Sequence, residues 1–488
     1  MGHMSLEDVL AMPGCTAADT LISGIELDSR KISAGDLFLA VPGEAHDGRQ
    51  FIEQAVASGA VAVVAEPPVS GFVDALSVPL LELPELQQES GYLASRFCGT
   101  PSAAMHMIGV TGTNGKTTTS RLIAQLIRQR GRSCGVIGTL GATLEEEVSQ
   151  GGNTTPDAVT LQQQLARWRD QGVYAVSMEV SSHALVQGRV NGVEFETAVF
   201  TNLSHDHLDY HGSMEAYGRA KLGLFTCEGL RHALVNLDDD FASCVQAVVE
   251  PGVRILSYSL VNPAADVFVE QAEFGADGVR GILRTPWGSG AFFSPLPGDF
   301  NLANLAAAVC AAVLAGEGLE DVLAAVPALR PVPGRMQSIP NDHGLQVIID
   351  YAHTPDALEQ VLSALKPHVQ GELAVVFGCG GDRDRNKRQL MGRIACGLAD
   401  RVVLTSDNPR GEDPLAILAD IESGCSGNYR LQADRAEAIA LAVQEARPGD
   451  CIVIAGKGHE DYQIVEGDYL RFSDEEHAVA ALAGRSVL

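Results

Sequence analysis

Short apolar runs that end in polar clusters recur along this chain, and that rhythm restricts the fold more than any other feature. Residues 105–110, 134–137, 174–178, 198–200 and 233–235 form one series, with stretches of helical character between them. After the punctuation of Pro331-Val-Pro-Gly334 the rhythm restarts at 347–349, 373–377, 402–404 and 452–454. Unbroken apolar runs this short read as strands covered on both faces, and their alternation with helices predicts mostly parallel, doubly wound sheets. Residues 4–86 carry their own runs at 36–41 and 60–65, a short helix at 51–58, a Pro67-Pro68 break and a last strand and connector at 81–86. One core stops growing near ~250–300 residues, so a chain of 488 residues must divide. The expected domains are 1–86, 87–331 and 332–488.

The ligand side follows from the same rhythm. In open α/β sheets, ligands sit beyond the carboxyl ends of the strands. The polar clusters 111–118, 179–183, 202–211, 350–353, 378–385, 406–410 and 456–460 all follow strands, so one large site in a cleft between two domains is expected. A formal charge of −28 repels nucleic acid and anionic membrane. It also repels phosphates, so a phosphate site must gather local Lys, Arg, backbone N–H groups or a metal. No apolar run is long enough to cross a bilayer. Ten Cys without a C-x-x-C pair fit a reduced, cytoplasmic compartment. Met1-Gly2-His3 reads as a cloning remnant, not a signal peptide.

The strongest motif is Gly112-Thr113-Asn114-Gly115-Lys116-Thr117-Thr118, after a strand and before a helix expected at 120–130. Glycines let backbone N–H groups curl around phosphate, a lysine reaches the outer phosphates, and a Thr hydroxyl can hold Mg²⁺. The strict pattern wants Gly where this chain has Val110. Glu179-Val-Ser-Ser-His183 and the run 202–211, with three His and two Asp between 205 and 211, suit a metal near phosphates. Alone, such a run is as readily a capped turn or a zinc site. Lys221 reads from spacing as a solvated helix lysine. Asn301 and Asn304 open an apolar helix at 302–315, where Asn is usually a cap and a base-reading amide is the sharper alternative. In the last domain, Arg335, Asp350-Tyr-Ala-His353, Arg383, Asp407-Asn408-Pro409-Arg410 and Gly456-Lys-Gly-His-Glu460 sit at strand ends or junctions. Arginine forks suit carboxylates and acids suit ammonium groups, so the set fits a zwitterionic amino acid. Each residue alone is more often a surface ion pair.

Taken in order, these motifs resemble the Mur ligase family over nearly the whole chain. Leu27-Asp-Ser-Arg30, Gly35-Asp-Leu-Phe38, Asn153-Thr-Thr-Pro156 and Gly378-Cys-Gly-Gly-Asp-Arg-Asp384 strengthen the likeness, and Asp407-Asn-Pro-Arg410 resembles the signature of members that add diaminopimelate. The resemblance implies an α/β protein of three domains: a small N-terminal α/β module, a central P-loop domain with a mostly parallel doubly wound sheet, and a C-terminal Rossmann-like domain. It implies ATP held by residues 112–118, Asn301, Asn304, Arg335 and Asp350. It assigns Leu27, Ser29, Glu44, Ala45, His46, Asn153, Thr154, Thr155, Ser181, Gln187 and Arg189 to a UDP-linked muramoyl dipeptide. It assigns Arg383, Asp407, Asn408, Pro409, Arg410, Gly456 and Glu460 to diaminopimelate. Thr117, Glu179, His207 and Lys221, carbamylated by CO₂, would ligate Mg²⁺. The expected reaction converts a carboxylate into an acyl phosphate that an amine then attacks. A monomer acting on small molecules is expected. Two rivals stand beside it: a relative adding lysine or glutamate, and a nucleotide switch that hydrolyses ATP without any amino acid.

Overall fold

The computed structural model describes residues 3–43, 46–72, 76–145, 147–149, 153–275 and 278–485, the segment 147–149 as backbone only. Glu44 and Ala45, expected at a ligand site, lie outside the described residues. Among the described residues three sheets carry the architecture, and two small two-stranded antiparallel pairs accompany them.

The first sheet has four parallel strands in chain order, Gly24–Glu26, Asp36–Ala40, Ala62–Ala65 and Leu80–Glu82. Helix Ile52–Ala57 covers one face, burying Ile52 and Ala55. The other face is closed by helix Leu86–Phe97, which starts at the expected 86/87 join. Its Leu86, Leu93, Ala94 and Phe97 share one apolar cluster with Leu37, Leu39, Val64 and with Val159 and Ala166 of helix Ala158–Asp170. A sheet this small buries too little alone, so its second face is completed by residues far along the chain.

The central sheet has eleven strands. Its parallel body runs, in spatial order, Cys134–Gly138, Ala175–Glu179, His106–Thr111, Thr197–Phe200, His232–Asn236, Arg254–Ser259 and Val267–Gly275. Antiparallel strands extend both edges: Gly141–Leu144 with Glu147–Ser149, and Gly278–Thr285 with Gly288–Ser294. These extensions escape the sequence reading because their residues are half-exposed and glycine-containing rather than unbroken apolar runs. Helices Lys116–Gln129 and Asp299–Leu314 pack together on one face. The second is apolar nearly all round, as a fully enclosed helix must be, and eleven of its residues are buried.

The first of these helices begins at Lys116, four residues before the expected start. Gly115, at φ 84°, turns the chain straight from loop to helix. An L side chain resists that conformation. Tertiary placement thus overrides the weak helix preference of the Thr-Thr-Thr-Ser stretch.

The third sheet orders Gln337–Ser338, Gln346–Asp350, Cys451–Ala455, Leu373–Phe377, Arg401–Leu404 and Tyr429–Leu431, with only the first pairing antiparallel. Thr354 caps the helix Pro355–Leu365, its hydroxyl accepting from Ala357 N–H, and Pro355 at the first helical position needs no donor. That turn aims Asp356 at the central domain. Its Oδ2 accepts from Asn114 Nδ2 at 2.7 Å.

Candidate active site

Residues 112–118 link the strand His106–Thr111 to the helix Lys116–Gln129. Gly112 lies so close to Thr201 that a Cβ would stand 1.9 Å from its Oγ1. Thr201 Oγ1 in turn donates to Asn114 O at 2.6 Å, which closes the loop. Val110, where the strict pattern has glycine, is a buried strand residue. Lys116 Nζ donates to Gly112 O at 2.8 Å and Thr113 O at 2.7 Å. Burial first, and the nearby Arg335 cation, lower its pKa against the pull of Glu179 and Asp206.

Lys221 is not a solvated lysine. It is 1% exposed on the helix Met214–Leu222, donates to the same Gly112 O at 2.8 Å, and stands 4.1 Å from the centre of the Tyr217 ring. Burial, then repulsion from Lys116, holds its pKa well below that of free lysine. Asp206 opposes this and is outweighed, because enclosing a cation is costly, so the amine is biased toward its neutral form.

Glu179 ends the strand Ala175–Glu179 and is buried. Its Oε2 accepts from Thr117 Oγ1 at 2.8 Å, and its Oε1 accepts from Thr139 N–H at 2.8 Å. His207, in the left-handed region, contacts Asp206 at 3.2 Å and packs its ring 4.9 Å from that of His183. Burial depresses His207 to about 3 although Asp206 opposes it. Among the described residues no three His, Cys, Asp or Glu side chains converge as a closed metal cage. The Thr117–Glu179 pair supplies hard oxygen donors instead. That suits Mg²⁺, which keeps water and phosphate oxygens in much of its shell.

Beside the loop, a cavity of 620 Å³ is lined by Asn114, Gly115, Thr118, Asn301, Asn304, Arg335 and Asp350. Neither Asn caps the helix Asp299–Leu314, which has no side-chain cap. Asn301 Nδ2 donates to Pro297 O at 2.8 Å, and Asn304 Oδ1 accepts from Thr119 Oγ1 at 3.1 Å. A Cβ on Gly115 would stand 2.5 Å from Asn304 Oδ1, so the amide and the glycine are mutually fitted. Arg335 crosses from the third domain, donating to Thr117 Oγ1 at 3.3 Å with its guanidinium 4.3 Å from the Tyr351 ring centre. Its Nε is buried without a hydrogen-bond partner among the described residues. Asp350 accepts from Met336 N–H and Ala352 N–H at 2.7 and 2.8 Å, and burial raises its pKa.

A second cavity, of 180 Å³, joins the central and last domains. Asp206, His207 and Asp209 wall one side, and Arg383, Asp407, Asn408, Arg410, Gly456 and Glu460 the other. Arg410 donates from one guanidinium nitrogen to Gly381 O at 2.9 Å. Burial alone would raise the Asp407 carboxyl, but Lys457 and Arg435 hold it below its ordinary value. Asn408 Nδ2 donates to Glu460 Oε2 at 2.9 Å, and Tyr351 OH donates to Glu460 Oε1 at 3.3 Å. Tyr351 lines both cavities, which therefore lie side by side.

A third cavity, of 540 Å³, lies between the first and central domains and gathers Leu27, Ser29, His46, Gln187 and Arg189. Arg189 donates to Thr155 O at 3.0 Å, and Thr155 Oγ1 donates to Glu179 O at 2.8 Å. Thr154 Oγ1 pairs with Thr139 Oγ1 at 3.2 Å, and Ser181 caps the helix Ser182–Val186. These residues lead from the 540 Å³ cavity to Glu179 beside the loop. Asn153 is exposed beside them.

Residue-by-residue reading of the sequence missed Lys387, Lys457 and Asp356. Lys387 Nζ donates to His353 O at 3.0 Å, and Lys457 Nζ is shared between Asn408 Oδ1 and Glu460 Oε2 at 3.0 Å each. Lys457 lies inside a motif already singled out. Lys387 and Asp356 sit on helices where nothing local marks them.

Comparison with known proteins bears on the same three parts of the chain. Residues 21–86 match the model described as "Mur ligase family, catalytic domain", 110–312 the "Mur ligase middle domain", and 334–458 "Mur ligase, glutamate ligase domain". A UDP-N-acetylmuramoyl-L-alanyl-D-glutamate–2,6-diaminopimelate ligase of Ectopseudomonas mendocina is 49% identical over 465 residues, 95% of each chain. One of Pseudomonas putida is 48% identical over 474 residues, covering 95% of this chain and 96% of its own. A solved structure with the same enzyme name superposes at TM-score 0.73 with 40% identity, covering 99% of both chains. The chain belongs to the Mur ligase family.

Proposed function

We propose that this ligase joins meso-2,6-diaminopimelate to UDP-N-acetylmuramoyl-L-alanyl-D-glutamate at the expense of ATP, in peptidoglycan precursor synthesis. The observation that carries the reading is that two cavities adjoin at Tyr351. The glycine loop, Arg335 and Tyr351 border one chamber, and Tyr351, Asp407 and Arg410 border the next. An acid activated in the first lies beside an amine held in the second. The names of relatives 45–49% identical support the same substrates.

The residues divide the work as follows. The 540 Å³ cavity takes the UDP end, and Thr155, Ser181, Gln187 and Arg189 direct the peptide toward Glu179. The backbone of 112–118 and Lys116 cradle the triphosphate. Its negative charge restores the proton that burial disfavours on Lys116. Arg335 lies on phosphate and Asp350 on ribose. The peptide carboxylate displaces ADP from the γ-phosphorus to give an acyl phosphate. The amine of diaminopimelate then attacks the carbonyl carbon, phosphate leaves, and the nitrogen loses a proton.

Thr117, Glu179, His207 and Lys221 would hold Mg²⁺, which neutralises charge on the transferring phosphoryl. The environment of Lys221 suits carbamylation. CO₂ bonds to the neutral Nζ, a proton leaves, and a buried amine becomes an anionic oxygen donor. Selectivity rests on Arg410, because lysine lacks the second carboxylate and leaves the half-buried guanidinium without an anionic partner. The division into units 1–86, 87–331 and 332–488 assigns one substrate chiefly to each. The absence of any helix long and apolar enough to cross a membrane, among the described residues, accords with work on water-borne substrates in the cytoplasm.

Phosphate release with the UDP-muramoyl dipeptide, ATP and diaminopimelate, run against lysine and glutamate, tests the reading. Turnover is expected with diaminopimelate alone. Equal turnover with lysine, or ATP hydrolysis indifferent to any amino acid, would overturn it.

A further inference from the structure

Arg410 is held by an element outside every motif used so far. Its φ is 53°, a left-handed conformation that costs a non-glycine residue ~1–3 kcal/mol and persists only where surroundings impose it. Those surroundings are the hairpin of strands Tyr462–Val465 and Asp468–Arg471. Arg410 N–H donates to Ile464 O at 2.9 Å, and Glu466 N–H donates to Arg410 O at 2.8 Å. Arg410 and Val465 form an isolated parallel bridge. Gln463 Nε2 donates to Asp407 O at 2.8 Å, and Ile464 N–H donates to Asn408 Oδ1 at 3.1 Å. Thus both backbone groups of Arg410, the carbonyl of Asp407 and the amide of Asn408 are all fastened to one hairpin.

The hairpin reverses at Glu466-Gly467, with φ of 51° and 90°, as a tight two-residue turn demands. Residues 466–471 are exposed and line none of the three cavities described above. The guanidinium continues from the fixed backbone to Gly381 O. A Cβ on Gly380 would stand 2.7 Å from the same nitrogen, which leaves the fork little lateral choice. We propose that the hairpin Tyr462–Arg471 is the register device for the guanidinium clamp, with Gln463 and the Glu466-Gly467 turn as positioning residues for selectivity toward an amino acid with a second carboxylate. The proposal rests on the reading of Arg410 as that clamp.

Gly467→Val tests it in the full-length enzyme. No atom lies within 4 Å of the added Cβ, so the change strains the turn without a clash. Strain of this kind corresponds to a roughly five- to hundredfold effect. KM for diaminopimelate should rise by about tenfold, and the diaminopimelate-to-lysine ratio of kcat/KM should fall by a similar factor. KM for ATP should stay within about twofold. Gly467→Asn, which tolerates positive φ, should restore the unaltered enzyme's values. Gln463→Leu should shift the same two readouts in the same direction, and it decides the matter if Gly467→Val does not fold. An unchanged ratio in these folded variants, or parallel losses for diaminopimelate and ATP, would overturn the proposal. Arg410→Ala separates it from the reading beneath. If Arg410→Ala leaves KM for diaminopimelate unchanged, the clamp assignment itself falls. If Arg410→Ala raises it and the hairpin variants do not, only the hairpin's role is lost.

Discussion

Two lysines donate to one carbonyl, that of Gly112, each at 2.8 Å. A pair of ammonium groups in that position would repel: burial lowers both pKa values, repulsion from Lys116 lowers that of Lys221 further, and the Arg335 cation lowers that of Lys116. Converting Lys221 into a carbamate replaces the repulsion by attraction. Lys221→Ala should therefore abolish ligation, and added short carboxylic acids should restore part of it by placing an anion in the vacated space. Steady-state turnover with and without acetate or propionate checks this, and a complete lack of rescue counts against the carbamate. Lys221 also marks how far a sequence can be read at this scale. The glycine loop is legible because its chemistry is local: spacing alone brings Gly112, Gly115 and Lys116 together. Burial is a tertiary property, and nothing around Lys221 in the chain separates it from an ordinary helix lysine.

The elements differ in legibility for a related reason. Parallel strands enclosed on both faces show as apolar runs, and each run in the central and last domains corresponds to a strand, whereas Arg254–Ser259 and Tyr429–Leu431, parallel but partly exposed and polar, give no such run. The strands between 267 and 294, which lead from the parallel body into its antiparallel extension, and the hairpin 462–471 face solvent in part, and their mixed composition hides them. Between elements, Arg388 carries much of the ordering around residues 380–383. It is fully buried and donates to both oxygens of Glu412 at 2.9 and 2.7 Å and to Asp420 at 2.9 Å. Glu412 also accepts from Asp382 N–H at 2.6 Å. Hydrogen bonds from Arg388 lower the Glu412 carboxyl to about 2 from an unperturbed 4.5. Between those two values the unfolded chain binds more protons than the folded one, so stability is lost as pH falls through that window. Acid unfolding followed by circular dichroism should be shallower over that range for Glu412→Gln than for the unaltered protein. Identical acid slopes would show that the pair contributes nothing. At neutral pH the variant should be less stable, because Arg388 loses a charged partner in a buried place.

Across the whole molecule, the last domain is drawn against the central one by few but definite contacts. Asn114 meets Asp356 at 2.7 Å, Arg335 reaches Thr117, His205 lies 3.6 Å from Asp384, and Arg383 lies 4.0 Å from Asp209. His353 also stands 4.0 Å from Asp206, and Phe300 packs on the core of the last domain, so thin contacts of this kind should let closure reverse readily. Asp356→Ala should enlarge the radius of gyration of the ligand-free protein in small-angle scattering. Nucleotide with the UDP-muramoyl dipeptide should return it to the unaltered value. A ligand-free radius equal to that of the unaltered protein would mean that the contact does not bias closure.

The aromatic ring of Tyr351 has a further consequence. On the proposed reading, nucleotide and incoming amino acid occupy the two cavities that Tyr351 lines, and its phenol is wedged among Arg335, His353 and His459. A tenant on either side must press on the same ring, so the two occupancies are thermodynamically linked. A bivalent inhibitor that bridges the phenol's edge would collect both affinities without the entropy loss of a second association.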